Sequence, residues 1–594
     1  MKEFLGIEMA LLEWLEWRDG EGMTKRTRRE FLAGAGVVLG GSVVGPRVWG
    51  AARGLSDAGA QAVRGSAASA APLRGLMVDA GRVPEKMEYY RRVVEFCAEW
   101  EMNALHFRLA DDQGSALRFA SAPGLVTHRN AFSPDEMHGL AEFGRSHGVD
   151  VIPELESFGH TGFITRSAKY RHLADESANG AFTGNGEFTG VIPVSAETLE
   201  LFARLYAEVA EIFLSPYMHT GCDEVNWGGS AESRAALKKQ SRAQIWAEYL
   251  NKLNGLVRGH GKQMIVWGDF VLHKEPEILP QLAKNIVIMD WQYSENSSAK
   301  AAEALARVKA NGSKGIGAPA LICYKWGPRA GREQLRNIDA FAEAYLGNGS
   351  SAADAGSLGM VLTNWVPSRY VQRSIWDGFA YAAVAMRQGT VVAQTSGLQR
   401  FVERHYGARW SDDWEEAMAL MYDDAPYMED GETKEWMGIR LRVPWSGDAE
   451  LKAALAGGVG RNPYIRLRKL LAELAPTVQK NGDDFAAFAL SVEAMEQVVT
   501  RVNAVADAAQ LGGMDLAAAS GLIEQIAAQD AAMVKKLTAD WDEGRPANAE
   551  AKTELLAELH PKDELLYSWG KAAAYSAELA KQPHRFYGMV TGPR

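Results

Sequence analysis

Residues 149–157 read VDVIPELES, a short apolar run that breaks into carboxylates at Glu154 and Glu156, with His160 three residues beyond. A run of this length between amphipathic stretches is the pattern of a strand buried on both faces of a parallel sheet. The pattern recurs on either side. Upstream lie LRGLMVDA at 73–80 and ALHFRLA at 104–110; downstream lie PYMHTGCDEV at 216–225, MIVWGDF at 264–270, IVIMDWQY at 286–293, PALICYKW at 319–326 and GMVLTNWV at 359–366. Helical spacing fills the intervals, as in EYYRRVVEFCAEWEM, ETLELFARLYAEVAEIF, QIWAEYLNKLNGLVRGHG and REQLRNIDAFAEAYLG. Eight such units in succession predict an α/β fold, a closed (β/α)8 TIM barrel over residues 73–400.

Function in this architecture sits at the carboxyl ends of the strands. Those ends carry Asp79 and Arg82; Asp111 and Asp112; Glu154, Glu156 and His160; Asp223, Glu224 and Trp227; Trp267 and Asp269; Asp290, Trp291 and Tyr293; Tyr324 and Trp326; Asn364 and Trp365. Singly, a Trp at a strand end is more often packing than ligand contact. A lone carboxylate such as Asp79 or Asp269 is often a helix cap. Together, five tryptophans at five strand ends beside carboxylates and Arg suit a carbohydrate, whose C–H faces stack on aromatic planes while its hydroxyls bind charged edges. Phosphate fits poorly, since no Gly-rich loop with Lys follows a strand.

The rest of the chain bounds this reading. The 594 residues include 64 basic and 75 acidic side chains, a net charge of −11, with no long basic run after residue 60, which argues against nucleic acid as a partner. The three cysteines, Cys97, Cys222 and Cys323, are too scattered for a disulfide framework or a CxxC metal site. Residues 25–52, KRTRREFLAGAGVVLGGSVVGPRVWGAA, look like a twin-arginine export signal, and 1–52 are read as signal and leader. The apolar run from Phe31 to Val44 is too short and Gly-rich for a stable membrane span, so the expected location is periplasmic or secreted. Residues 53–72 read as a small-residue linker, and 401–594, rich in Ala, Glu, Leu and Lys at helical spacing, as an α-helical C-terminal appendage.

Within HTGCDEV, Asp223 and Glu224 are adjacent at a strand terminus. Successive strand side chains point to opposite faces, so both reach one ligand only if the chain bends, which Gly221 eases. Adjacent carboxylates fit poorly as acid and nucleophile on opposite sides of a sugar. They fit better if one is the acid and the other holds a substrate group that itself attacks.

Four segments in order, RGLMVDAGR at 74–82, NALHFRLADDQG at 103–114, VIPELESFGH at 151–160 and HTGCDEV at 219–225, resemble the motifs of family 20 glycoside hydrolases, the β-N-acetylhexosaminidases. The resemblance spans about residues 73–380. It implies a retaining, exo-acting enzyme that releases terminal N-acetylglucosamine or N-acetylgalactosamine by substrate assistance, through a cyclic oxazolinium and with no enzyme nucleophile. By the same resemblance Glu224 is the general acid and base, Asp223 orients the acetamido group, and His160 bridges Asp111 to Glu224. Arg74 and Asp112 would bind sugar hydroxyls, Trp267, Trp291 and Trp365 would wall the sugar, and Tyr324 would donate to the acetamido oxygen. No cofactor or metal is expected, because His106, His160 and His219 lie on different strands without ligand spacing. His106 and His219 read as buried structural histidines.

Several positions depart from the family pattern. Arg108 replaces the second His of HWH, Glu156 replaces Asp, Phe158 replaces Pro, and Trp365-Val366-Pro367 lacks the carboxylate of Trp-x-Glu. These departures keep two alternatives open: a non-hydrolytic carbohydrate-binding barrel, or a different glycosidase on the same fold.

Overall fold

A computed structural model describes residues 71–175, 189–293, 297–322, 331–347, 356–422, 462–512, 515–545, 565–582 and 584–585. The signal-like segment, Tyr324, Trp326 and residues 552–560 of the helical appendage (KTELLAELH) lie outside them.

Eight parallel strands close on themselves: β1 Leu73–Asp79, β2 Ala104–Arg108, β3 Asp150–Glu154, β4 Tyr217–His219, β5 Gln263–Trp267, β6 Val287–Trp291, β7 Lys314–Ala318 and β8 Ser357–Asn364. Each pairs with the next, and β1 returns to β8 with Leu73 opposite Gly359. The fold is the TIM barrel that the strand spacing predicts. One strand is displaced: the expected PALICYKW run begins after β7, and only Ala320–Ile322 pairs as a short continuation on β8. The true strand reads KGIGA and has no apolar run to announce it. Small residues stand there because side chains of the helix Arg332–Leu346 press in, so that a Cβ on Gly317 would lie 2.7 Å from the Tyr345 ring.

Helices α1 Met87–Glu99, α2 Pro134–Ser146, α3 Ala196–Ile212, α4 Arg242–Gly259, α5 Ser297–Ala310, α6 Arg332–Leu346 and α7 Trp376–Gln388 cover the barrel. Their starts are specified locally. Ser133 with Glu136 and Ser241 with Gln244 form reciprocal caps on α2 and α4, each contributing about 1 kcal/mol. After β5 the crossing has no α-helix: a π-helical turn, Asp269–Lys274, runs into a 3-10 segment, Pro276–Gln281, whose Pro276 and Pro280 lack the amide that an α-helix needs.

Strand alternation sorts the side chains. Leu76 and Val78 of β1 face the helices, while Met77 joins Ile152, Ile265, Val287, Met289, Ile316 and Val361 inside the barrel. The same parity turns Asp79, His106, Arg108, Glu154 and His219 inward, so the upper interior is charged rather than apolar.

The C-terminal helices α8 Asp412–Tyr422, α9 Tyr464–Leu474, α10 Gly482–Gly512, α11 Leu516–Gly544 and α12 Leu565–Ala580 follow, as their Ala- and Leu-rich spacing predicts. No helix among the described residues is long and apolar enough to cross a membrane.

Candidate active site

The turn after β4 brings the adjacent carboxylates together by abandoning strand geometry. Gly221 has φ +64°, Cys222 +75° and Glu224 +44°. A Cβ on Gly221 would overlap the Glu156 carboxyl, and one on Gly159 would overlap the Asp223 carbonyl, so both glycines are required by close approach. Left-handed backbone at Cys222 and Glu224, and at His160 (+49°) and Val366 (+55°), is strain of the kind that collects at functional sites. Contacts hold it in place. Glu156 Oε2 accepts from the Cys222 amide at 2.9 Å, and Asp269 Oδ2 accepts from the Glu224 amide at 3.2 Å.

His160 stands between the carboxylates as expected. Its Nδ1 is 3.3 Å from Asp111 Oδ1, and its Nε2 is 3.3 Å from Glu224 Oε2 and 3.8 Å from Asp223 Oδ2. Burial opposes a charge on the ring, but Asp111 and Asp223 outweigh it and push the imidazolium well above its ordinary range. Asp111 itself is buried, yet Arg82, Arg108 and His160 hold it well below the usual carboxylate value. Burial also opposes ionisation of Glu224, and the hydrogen bond and charge of His160, with Lys274 and Arg82, keep it below its ordinary value. The Glu224 side chain is 40% exposed, against 8% for Asp223.

Asp223 is different in kind. Burial raises it, with Glu224 adding like charge, while His160, Arg108 and a hydrogen bond from Glu156 oppose the rise. Glu156 is raised much further, first by burial and then by Asp223 and Glu154, although Arg108 Nη1 lies only 2.7 Å away. Burial and the like charges around it thus favour the protonated form of Glu156 more than that of Asp223. Asp223 Oδ1 is buried, and no hydrogen bond to it is found among the described residues. A buried carboxylate oxygen is rarely left so, because desolvation without a donor is unfavourable.

Arg108 organises the floor. Its guanidinium reaches Asp111 Oδ2 (2.7 Å), Glu154 Oε1 (2.6 Å) and Glu156 Oε1 (2.7 Å) and lies 5.0 Å from the Trp365 ring centroid. Glu154 also accepts from Trp267 Nε1 at 2.7 Å and meets His106 Nε2 at 2.9 Å. His106 and His219 are buried with rings stacked 4.8 Å apart, as expected of structural histidines. Together with Glu154 they could in principle gather around a cation. Arg108 already supplies that charge, and His219 Nδ1 is occupied by the Gly221 amide at 3.0 Å.

Trp267, Trp291 and Trp365, the three tryptophans expected to wall a sugar, are brought together. Trp267 and Trp365 meet at 5.7 Å, Trp365 Nε1 donates to the Tyr293 hydroxyl at 2.8 Å, and Tyr293 stacks on Trp291. Trp227 instead packs in the core against Phe158 and Trp246.

Two expected substrate contacts are corrected. Arg74 shares the parity of Leu76 and Val78, so it faces the helices at the opening end of β1, where its Nε donates to the Glu101 carbonyl at 3.2 Å. It is at the wrong end of the barrel. The arginine at the site is Arg82, whose Nη1 is 2.9 Å from Asp79 and Nη2 3.4 Å from Asp111. Asp112 is buried with both oxygens engaged, by His160 Nδ1 at 3.2 Å and the Gly162 amide at 3.0 Å, so it braces the His160 loop instead of meeting a sugar. Tyr324 lies outside the described residues.

Residues 72–326 match the family model for the glycosyl hydrolase family 20 catalytic domain. Among curated relatives, β-hexosaminidase subunit beta of Felis catus is 26% identical over 221 residues, covering 35% of this chain and 41% of that one. The β-hexosaminidase of Vibrio furnissii is 22% identical over 247 residues, covering 37% and 39%. The chain thus spans under half the length of these relatives. Among solved structures, the Flavobacterium johnsoniae chitobiase is 16% identical with a TM-score of 0.47, covering 85% of this chain and 78% of that one. Residues 72–326 of this chain are thus similar to the glycosyl hydrolase family 20 catalytic domain, at the low identity of a divergent relative.

Proposed function

We propose that the chain is a retaining, exo-acting β-N-acetylhexosaminidase that releases terminal N-acetylglucosamine or N-acetylgalactosamine with the substrate's own acetamido group as nucleophile. The observation that carries this reading is the buried, unpartnered Asp223 Oδ1 beside a partly exposed Glu224. An acetamido N–H supplies the missing donor.

In the first step the acetamido oxygen attacks the anomeric carbon, the bond to the leaving group breaks, and Glu224 gives its proton to the departing oxygen. The oxazolinium that results carries positive charge at the nitrogen facing Asp223. An anion placed there in advance stabilises charge that exists only along the reaction path. In the second step water gives a proton to Glu224 and attacks the same carbon, reopening the ring with overall retention.

The proton for Glu224 is held next to it. In the free protein His160 carries it, 3.3 Å away, and a bound sugar that strips water from Glu224 favours the neutral acid, so the proton passes from Nε2 to Oε2. Two limbs of the pH profile follow. Activity falls on the acid side as Asp223 takes up a proton, and on the alkaline side as the His160–Glu224 pair loses its last one. His160→Phe leaves Glu224 alone to hold that proton, and a carboxyl releases it at lower pH than the raised imidazolium does. The alkaline limb of kcat/KM is therefore expected to move to lower pH; an unmoved limb would remove His160 from the proton path.

The reading as a whole is tested with 4-nitrophenyl glycosides. The β-N-acetylglucosaminide, the β-N-acetylgalactosaminide or both are expected to be cleaved, and the plain β-glucoside to fail. Equal cleavage of the plain glycoside would point to another glycosidase, and binding without product to a carbohydrate-binding barrel. The basic, twin-arginine start of residues 25–52 supports action outside the cytoplasm.

A further inference from the structure

The residue that follows α11 is not in solvent. Arg545 is 2% exposed, with its guanidinium carbon 3.6 Å from the Trp541 ring centroid. Its Nη2 lies 2.9 Å from Glu85 Oε1 and donates to the Pro367 carbonyl at 2.9 Å. Glu85 belongs to the loop leaving β1, and Pro367 to the turn leaving β8. These are two of the loops at the carboxyl ends of the strands, joined from outside by one side chain. Neighbouring contacts follow the same line: the Lys86 amide donates to the Gly544 carbonyl at 3.3 Å, and Arg373 pairs with Asp540 at 3.1 Å and Glu543 at 3.0 Å.

Those two loops carry one side of the site. Asp79 Oδ2 accepts from both Arg82 Nη1 (2.9 Å) and the Val366 amide (3.0 Å), and the Arg82 guanidinium lies 5.4 Å from the Trp365 ring centroid. Val366 is left-handed at φ +55°, which a β-branched residue adopts only when its surroundings enforce it. The enforcement comes from Asp79 on one side and, at the next residue, from Arg545 on the other.

We infer that Arg545 is a positioning residue for substrate binding. By bridging Glu85 and Pro367 it fixes Arg82 and Trp365, so the C-terminal helical region completes the sugar-binding wall of a domain matched only over residues 72–326. The inference rests on the reading of this pocket as a sugar site.

The test compares Arg545→Met with Arg501→Met in the full chain. Arg501 is equally buried, pairs with Asp530 at 2.6 Å inside the helical region and lies over the Trp569 ring. For R545M the KM for the cleaved 4-nitrophenyl glycoside is expected to rise about 10-fold with kcat largely kept, as lost binding common to ground and transition states requires. Amide exchange at residues 80–86 and 365–370 should accelerate while that at 219–224 does not. R501M should lower the melting temperature and leave KM unchanged. Arg545→Lys, which keeps the charge and one donor, should recover part of the binding, and it is read in the same way if R545M does not fold. An unchanged KM in the Arg545 variants, or an equal rise in R501M, overturns the inference. If the parent cleaves no acetamido sugar, the functional reading fails; amide exchange then decides the brace, with acceleration supporting it and no change overturning it.

Discussion

Glu224→Gln is expected to lower kcat by about 10²- to 10⁴-fold, the usual range for loss of a positioned acid and base. Gln keeps the shape of the side chain and an acceptor for His160 Nε2, which lies 3.3 Å away. The left-handed backbone is also retained, since the Asp269 carboxylate grips the amide of residue 224, not its side chain. What disappears is the transferable proton. With 4-nitrophenol leaving, the first step needs little protonation, so the fall should be smaller in that step and full in the attack of water, where no base remains. Substrate binding and the melting temperature should hardly move. The measurement is kcat/KM, which reports the first step, on leaving groups of increasing basicity, with the deficit growing along the series; a variant as active as the parent would take Glu224 out of the reaction.

Asp223→Asn is expected to lower turnover by about 10²- to 10³-fold, because it removes the charge facing the oxazolinium nitrogen. Stability should move the other way or not at all. Asp223 is buried among carboxylates, and burial and Glu224 both raise its affinity for a proton. The neutral amide relieves that repulsion, and Glu156 can still donate to its oxygen. Activity and stability therefore separate: kcat falls while the melting temperature holds or rises. A parallel loss of both would mark Asp223 as a structural carboxylate.

Much of this site is legible in the sequence because the barrel maps motif order onto strand ends. Asp111, His160, Asp223 and Glu224 converge since β2, β3 and β4 are neighbours and each chain turns at its carboxyl end. Other features follow from parity that motif matching ignores. ALHFR alternates, so His106 and Arg108 both point inward, and LRGLM alternates, so Arg74 points out while Asp79 points in. The partners of Arg108 could not be read this way, since Glu154 is 46 residues distant and any inward carboxylate would serve. Strand β7 is hidden because glycines replace the apolar run that marks the others. Arg545 lies 178 residues from Pro367, with no local pattern to relate the two.

The most direct test of substrate assistance is inhibition by a thiazoline mimic of the cyclic intermediate, measured on the parent, Glu224→Gln and Asp223→Asn. Competitive inhibition of the parent, retained within a few-fold in E224Q and weakened about 10²-fold or more in D223N, is the expected result, since only Asp223 meets the charged ring nitrogen. Equal inhibition of D223N and the parent, or none of the parent, would contradict it.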